Sequence, residues 1–281
     1  MPNKREPPLS VERIPEEQLN PFQRRLYLLY HELRPNGSKY SYVIENHEFE
    51  AHLDLFSRLR NRSDGGSVPE ITFDDGHISN IEYALPLLES RNIRGHFFIT
   101  VGWTGHKAGY MGWNDLRSLH AAGQYIGAHG WSHTLLTHCD EKGLQSELVS
   151  AKVALEDKLG TSITTMSLPG GRYSRRILEA CWKAGYEQVY TSIPRGEPAS
   201  PGPIVGRLNI RGDMKSQWIA DVLQPESQIL AGLGRQYKIK QAAKGLLGDR
   251  LYEKAWALLN RKEPDTDEGE ATIDEDPARH Q

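Results

Sequence analysis

Apolar and polar positions along this chain switch between a period near two and a period near four. Arg25-Leu26-Tyr27-Leu28-Leu29-Tyr30-His31 is a short apolar run that predicts a buried strand ending on an imidazole. Phe49, His52, Leu53, Leu55, Phe56 and Leu59 then recur at helical spacing, which predicts an amphipathic helix. A polar loop over residues 61–69 leads to a second strand, Ile71-Thr72-Phe73, which runs into Asp74-Asp75-Gly76. Beyond it the patterns predict helices over 81–91, 114–122, 141–159 and 174–184, with Pro86 interrupting the first and Gly160 and Gly185 ending the last two. Strands are predicted over 95–101, 124–129, 163–168, 187–192 and 204–210. Strand and helix in regular alternation imply a mainly parallel sheet with crossover helices, whose functional groups gather at the C-terminal strand ends. His31, Asp74, Asp75, His129 and the Pro169-Gly170-Gly171-Arg172 run all fall there.

Composition narrows the picture. The chain has 281 residues, long enough for a substantial core, and a net charge of -3, so no global field recruits nucleic acid. Cys139 and Cys181 form no framework and have no metal-ligand spacing, so both read as thiols in a reducing compartment. No apolar core marks residues 1–18 as an export signal, and no run is long enough to span a bilayer, which leads to the expectation of a cytoplasmic protein. Residues 1–20 read as a flexible segment, 21–224 as the catalytic α/β domain, 225–262 as a basic amphipathic helical extension and 263–281 as an acidic disordered tail. The basic extension fits either a solvated helix face or peripheral contact with an anionic membrane or a partner protein.

Two patterns carry candidate chemistry. Asp74 and Asp75 alternate in direction, so they cannot do the same job: one can face a metal while the other works on water, although a solvated Asp-Gly turn fits the same residues. His129 and His133 lie four apart, and on a helical turn both would face one side. Such a pair is as often structural as metal-binding. Joined by Asp75, it makes a His, His, carboxylate set with room for water, which is the make-up of a catalytic metal site. Trp103, Tyr110, Trp113 and Trp131 lie in loops at the same end, where a flat ring could stack on a sugar.

Thr72-Phe73-Asp74-Asp75-Gly76, His129-x-x-x-His133 and Leu168-Pro169-Gly170-Gly171-Arg172 together resemble the successive motifs of the polysaccharide deacetylases, carbohydrate esterase family four. Gly95-His96-Phe97-Phe98 matches another strand of that family, and the resemblance runs over roughly residues 25–212. It implies a distorted (β/α) barrel of about seven parallel strands, followed here by C-terminal amphipathic helices. It implies Asp74 as general base, Asp75, His129 and His133 as ligands of a divalent metal, Zn2+ above others, and the Gly170 N–H as an oxyanion donor. Gly171, Arg172 and Trp131 would sit beside the substrate, an N-acetylated glycan or glycolipid precursor that loses acetate.

Departures from the family pattern are equally specific. Position 130 is Gly rather than Ser or Thr, and Ser167 stands where an arginine normally orients the base. Arg172 is a candidate for that guanidinium. The histidine of the last motif, which would protonate the leaving amine, has no counterpart from 166 to 248, and His31 is the best substitute. These gaps keep two alternatives open: an amidase or deformylase on the same scaffold, and a glycan-binding homologue with impaired catalysis.

Overall fold

The computed structural model describes residues 24–60, 64 and 66–247; the expected flexible N-terminal segment, the far part of the basic extension and the acidic tail lie outside these residues. Its main sheet contains β1 (Arg25–Tyr30), β4 (Val68–Phe73), β5 (Gly95–Ile99), β6 (Tyr125–Ala128), β7 (Thr165–Ser167), β8 (Gln188–Tyr190), β9 (Ile204–Val205) and β10 (Arg207–Asn209). These eight strands are all parallel, in the order β10-β1-β4-β5-β6-β7-β8-β9. The two edges, β9 and β10, are consecutive in the chain, with β9 on β8 and β10 on β1. The sheet therefore closes into a barrel through one last strand, broken at Gly206. The expected seven strands become eight only because of that break. A side chain has no room there: a Cβ on Gly206 would lie 2.6 Å from the Ile193 carbonyl oxygen.

Strand alternation sorts residues into two environments. Leu26, Leu28, Tyr30, Ile71, Phe73, Phe97, Ile99, Ile126, Met166 and Val189 face outward into one core shared with the helices. Tyr27, Phe98, Tyr190 and Val205 pack inside the barrel, with Tyr27 and Tyr190 edge to face at 5.6 Å. The interior is thus a packed aromatic plug, and only the C-terminal mouth is left for chemistry.

Helices α1 (Asn46–Leu59), α2 (Leu85–Ser90), α3 (Trp113–Ala121), α4 (Glu141–Gln145), α5 (Ala151–Leu159) and α6 (Arg175–Lys183) follow the predicted positions closely, and α7 (Ser216–Val222) comes after the last strand. Two differences matter. Pro86 falls in the first turn of α2, so the segment before it, Asn80–Ala84, winds as a π-helix. The long helix expected over 141–159 is likewise interrupted by a π-turn, Ser146–Ser150. A small pair, β2 (Glu32–Arg34) with β3 (Val43–Glu45), was not visible in the pattern because each strand has only three residues.

Helix α8 (Ile229–Leu247) begins the basic extension. Ile229, Leu230 and Leu233 pack on the barrel core, and the compact unit holding the barrel runs through Lys238, past the expected boundary at 224. Residues 239–247 fall in a second unit. No helix among the described residues is long and apolar enough to cross a membrane.

His52 is buried and His96 half-buried, and desolvation lowers the pKa of each to about 4. An unfolded histidine titrates near 6.5, so this contribution to stability is complete above that pH and is lost as pH falls toward 4. We expect stability, measured by urea unfolding with a chelator present, to fall by about 1–3 kcal/mol per histidine between pH 7 and 4.5. The His52→Gln/His96→Gln variant should lose less over that range; equal losses would contradict the assignment.

Candidate active site

The carboxylate pair follows directly on β4, which ends at Phe73. Asp74 continues the alternation into the barrel and is almost fully buried. Asp75 adopts a left-handed backbone with φ of 74°, and Gly76 follows with φ of 83°. The turn separates the two acids, sending Asp75 toward β6 while Asp74 stays with the interior. Their division of labour, expected from strand alternation, is sharpened by this reversal of the backbone.

Asp74 is held by four contacts. The Arg207 guanidinium donates to both its oxygens, Nη1 to Oδ1 at 2.7 Å and Nη2 to Oδ2 at 2.8 Å, and the Ser167 hydroxyl donates to Oδ2 at 2.9 Å. His129 Nε2 lies 3.8 Å from Oδ2. Arg207 is itself enclosed: it donates to the Thr191 carbonyl, the Ser167 hydroxyl and Thr72 Oγ1, and it lies over the rings of Phe98 and Tyr190. Burial alone would push the Asp74 carboxyl up, but the charges of Arg207 and His129 more than offset it and keep it below the usual carboxylate range.

The guanidinium on the base therefore comes from Arg207 on β10, and not from Arg172. Sequence reading missed it because the residue is 133 positions away from Asp74. A signal existed: a lone arginine in the apolar run 204–210 must be buried, and a buried arginine needs an acid.

Asp75, His129 and His133 meet at the mouth. Each imidazole Nε2 lies 3.3 Å from Asp75 Oδ1, and one ligand atom from each of the three residues falls within 4.8 Å of the others. Asp75 Oδ1 is buried and has no hydrogen-bond partner. His129 Nδ1 lies 2.8 Å from the Ser167 carbonyl, which can only accept, so Nδ1 carries a proton and Nε2 is the nitrogen turned to the cluster. The donor set of two imidazoles and one carboxylate, with an orphaned carboxylate oxygen at its centre, fits a divalent cation. Burial raises the Asp75 carboxyl, yet the adjoining imidazoles, His129 first and then His31 and His133, bring it well below the ordinary range.

The His pair is brought together differently from the sequence expectation. Residues 129–133 form no helical turn: Gly130 and His133 have φ of 80° and 65°, and the loop doubles back to return the second imidazole to the first. His133 rests against Trp103, 5.3 Å between ring centres. Trp131 is exposed at the rim, pinned through its carbonyl by the Gly102 N–H at 2.8 Å. Trp113 packs against the core instead.

Around the loop of the third motif, Gly170 and Gly171 both have positive φ, near 65°. The Gly171 N–H is taken by the Leu168 carbonyl at 2.7 Å, so the oxyanion expectation rests on Gly170. His31 follows β1 and lies against Tyr42, the rings tilted by 45°; its Nδ1 is buried without a partner. Burial lowers its pKa, against the charges of Asp75 and Asp74. Asn209 lies two residues past Arg207 on the same face of β10, one step nearer the mouth, and its Oδ1 is also buried and unpartnered.

A parallel barrel with a His, His, Asp cluster and a separately clamped carboxylate at its C-terminal mouth is the class of protein described so far. Comparison with known proteins narrows it. Residues 61–189 match the family model described as polysaccharide deacetylase. Over that segment the chain is similar to the polysaccharide deacetylase family. YxkH of Bacillus subtilis (strain 168), provisionally named a polysaccharide deacetylase, is 25% identical over 182 residues, 59% of this chain and 64% of that protein. A chitin deacetylase of Pestalotiopsis sp is 29% identical over 123 residues, 44% of this chain and 41% of the relative. The chain thus matches less than two thirds of either relative's length. Among solved structures, the Streptococcus pyogenes deacetylase PplD in complex with acetate superposes with a TM-score of 0.63 at 18% identity, over 72% of this chain and 99% of that one. IcaB from Ammonifex degensii gives 0.61 at 24%, over 72% and 97%. These structural likenesses are of fold.

Proposed function

We propose that this chain is a metal-dependent hydrolase that removes an N-acetyl group from an amino sugar of a polysaccharide, oligosaccharide or glycolipid precursor. The observation that carries the reading is the separation of the two acids: Asp75 with both imidazoles, Asp74 in a buried clamp of Arg207 and Ser167 beside them. The match of residues 61–189 to the polysaccharide deacetylase model and a relative named chitin deacetylase support an acetylated sugar as substrate.

Asp75, His129 and His133 would hold the cation, with Zn2+ best suited to this donor set. When bound, such a cation polarises an acyl carbonyl and acidifies water. Asp74 takes the proton of the attacking water, and Arg207 and Ser167 keep its carboxylate ionised and aimed. The Gly170 N–H donates to the oxyanion that forms as the carbonyl is attacked. His31 returns a proton to the departing amine, a role its unpartnered Nδ1 leaves open. Asn209 Oδ1 accepts a hydrogen bond from the substrate at the same mouth. The clamp from Arg207 answers the main ground for the alternative of an impaired homologue, since the base has its guanidinium after all.

The test is acetate release from N-acetylated oligosaccharide and glycolipid substrates, with N-formyl and ureide compounds alongside and zinc measured in the same samples. We expect one zinc per chain, loss of activity on chelation with recovery on adding zinc, and loss of both zinc and activity in His129→Ala. Wild-type protein that binds no zinc, or that hydrolyses only formyl or ureide substrates, would refute the proposal.

A further inference from the structure

The His129–His133 loop is built around a carboxylate that the reaction does not use. Glu147, in the π-turn between α4 and α5, is buried at 6% exposure and forms no ion pair among the described residues. All its bonds go to the loop between the two imidazoles. Its Oε2 accepts the N–H of Trp131 at 2.8 Å and the N–H of Ser132 at 3.0 Å, and its Oε1 accepts the Ser132 hydroxyl at 2.6 Å. Ser132 Oγ in turn lies 2.7 Å from Thr134 Oγ1, which carries the network past His133.

Gly130 makes this contact possible. A Cβ at position 130 would sit 2.8 Å from Glu147 Oε2, and the backbone there has φ of 80°, a region that side chains disfavour. The glycine that departs from the family pattern and the buried acid are thus two halves of one arrangement. A loop that reverses on two left-handed residues, Gly130 and His133, has little internal reason to hold its shape. Three hydrogen bonds to one buried carboxylate supply that reason.

We infer that Glu147 is a positioning residue that templates the metal-binding loop, setting the reach of His133 toward Asp75 and His129 from outside the cluster. This rests on the metal reading above. The π-turn is what aims it: the extra residue turns Glu147 inward beside Leu148, at a place where the helix otherwise shows an apolar stripe of Leu144, Leu148, Ala151 and Leu155.

The experiment measures zinc affinity of the full chain by competition with a chromophoric chelator, and the absorption spectrum of the Co2+ form, for wild type, Glu147→Ala, Glu147→Gln and Gly130→Ala. Thermal unfolding in chelator reports folding separately. We expect Glu147→Ala to bind zinc about 10–100-fold more weakly, the range found when groups that orient metal ligands are removed. Its Co2+ spectrum should change, and its melting in chelator should stay close to that of wild type. Glu147→Gln keeps an acceptor for both N–H groups, and the Ser132 hydroxyl can turn to accept, so it should recover most of the affinity. Gly130→Ala, which pushes into Glu147, should weaken zinc binding in a chain that still has the acid, and so reads the same contact should Glu147→Ala fold poorly. Zinc affinity in Glu147→Ala or Gly130→Ala equal to wild type would overturn the inference. So would a Glu147→Gln variant as weak as Glu147→Ala, because the carboxylate would then act through its charge. A wild-type chain without measurable zinc affinity would instead bring down the metal reading itself.

Discussion

Asp74→Asn is expected to lower kcat for acetate release by about 10²–10⁴-fold, the contribution of a positioned general base, while zinc affinity stays within a few-fold of wild type. The reason lies in the split between the two acids. Asp74 Oδ2 is 3.8 Å from His129 Nε2, whereas Asp75 Oδ1 is 3.3 Å from both imidazoles, so the amide at 74 removes a proton acceptor without removing a ligand. Asp75→Asn should show the opposite pattern, losing zinc first and activity in consequence. Steady-state kinetics with zinc quantified in each sample separates the two. Activity of Asp74→Asn within tenfold of wild type would mean that the buried acid only anchors Arg207.

The second large effect concerns folding. Arg207→Met should cost about 3–5 kcal/mol in urea unfolding, because it leaves the Asp74 carboxylate buried and unpaired. Arg207→Lys should rescue little, since one ammonium cannot reproduce the fork that bridges both Asp74 oxygens while also reaching Ser167 Oγ and the Thr191 carbonyl. The Arg207→Met/Asp74→Asn double variant should be less destabilised than the two single losses added together, because neither charge is then stranded. A loss below about 1 kcal/mol for Arg207→Met would show that the site tolerates a lone buried carboxylate, contrary to the cost expected for one. The two predictions bear on one pair of residues but are read by different instruments, one by turnover and one by denaturant.

Much of this was legible in the chain itself. Strands and helices came from hydrophobic period, because a strand lining a barrel must present alternate residues to two enclosures and a covering helix must present a stripe. Asp74, Asp75, His129 and His133 could be named because their order and spacing resemble the motifs of a known family, and because acids buried at a strand end are costly when unpaired. Those are local properties, and local sequence carries them.

What the chain alone did not reveal depended on distance and backbone reversal. Arg207 reaches Asp74 only because the barrel closes β10 onto β1, two strands away from β4's own acid in space but 133 residues away in sequence. The His pair looked like a helical turn, since spacing of four is shared by helices and by loops; left-handed backbone at Gly130 and His133 decided between them. Glu147 read as one more acid on a helix until the π-turn aimed it at Trp131 and Ser132. Asp74-Asp75-Gly76 was recognisable as two acids that could not share one duty, and the resemblance to the deacetylases implied which duty fell to each. Which groups attend each acid was decided by tertiary structure, because a charge enclosed in a barrel takes its partners from whichever strands the closure brings alongside.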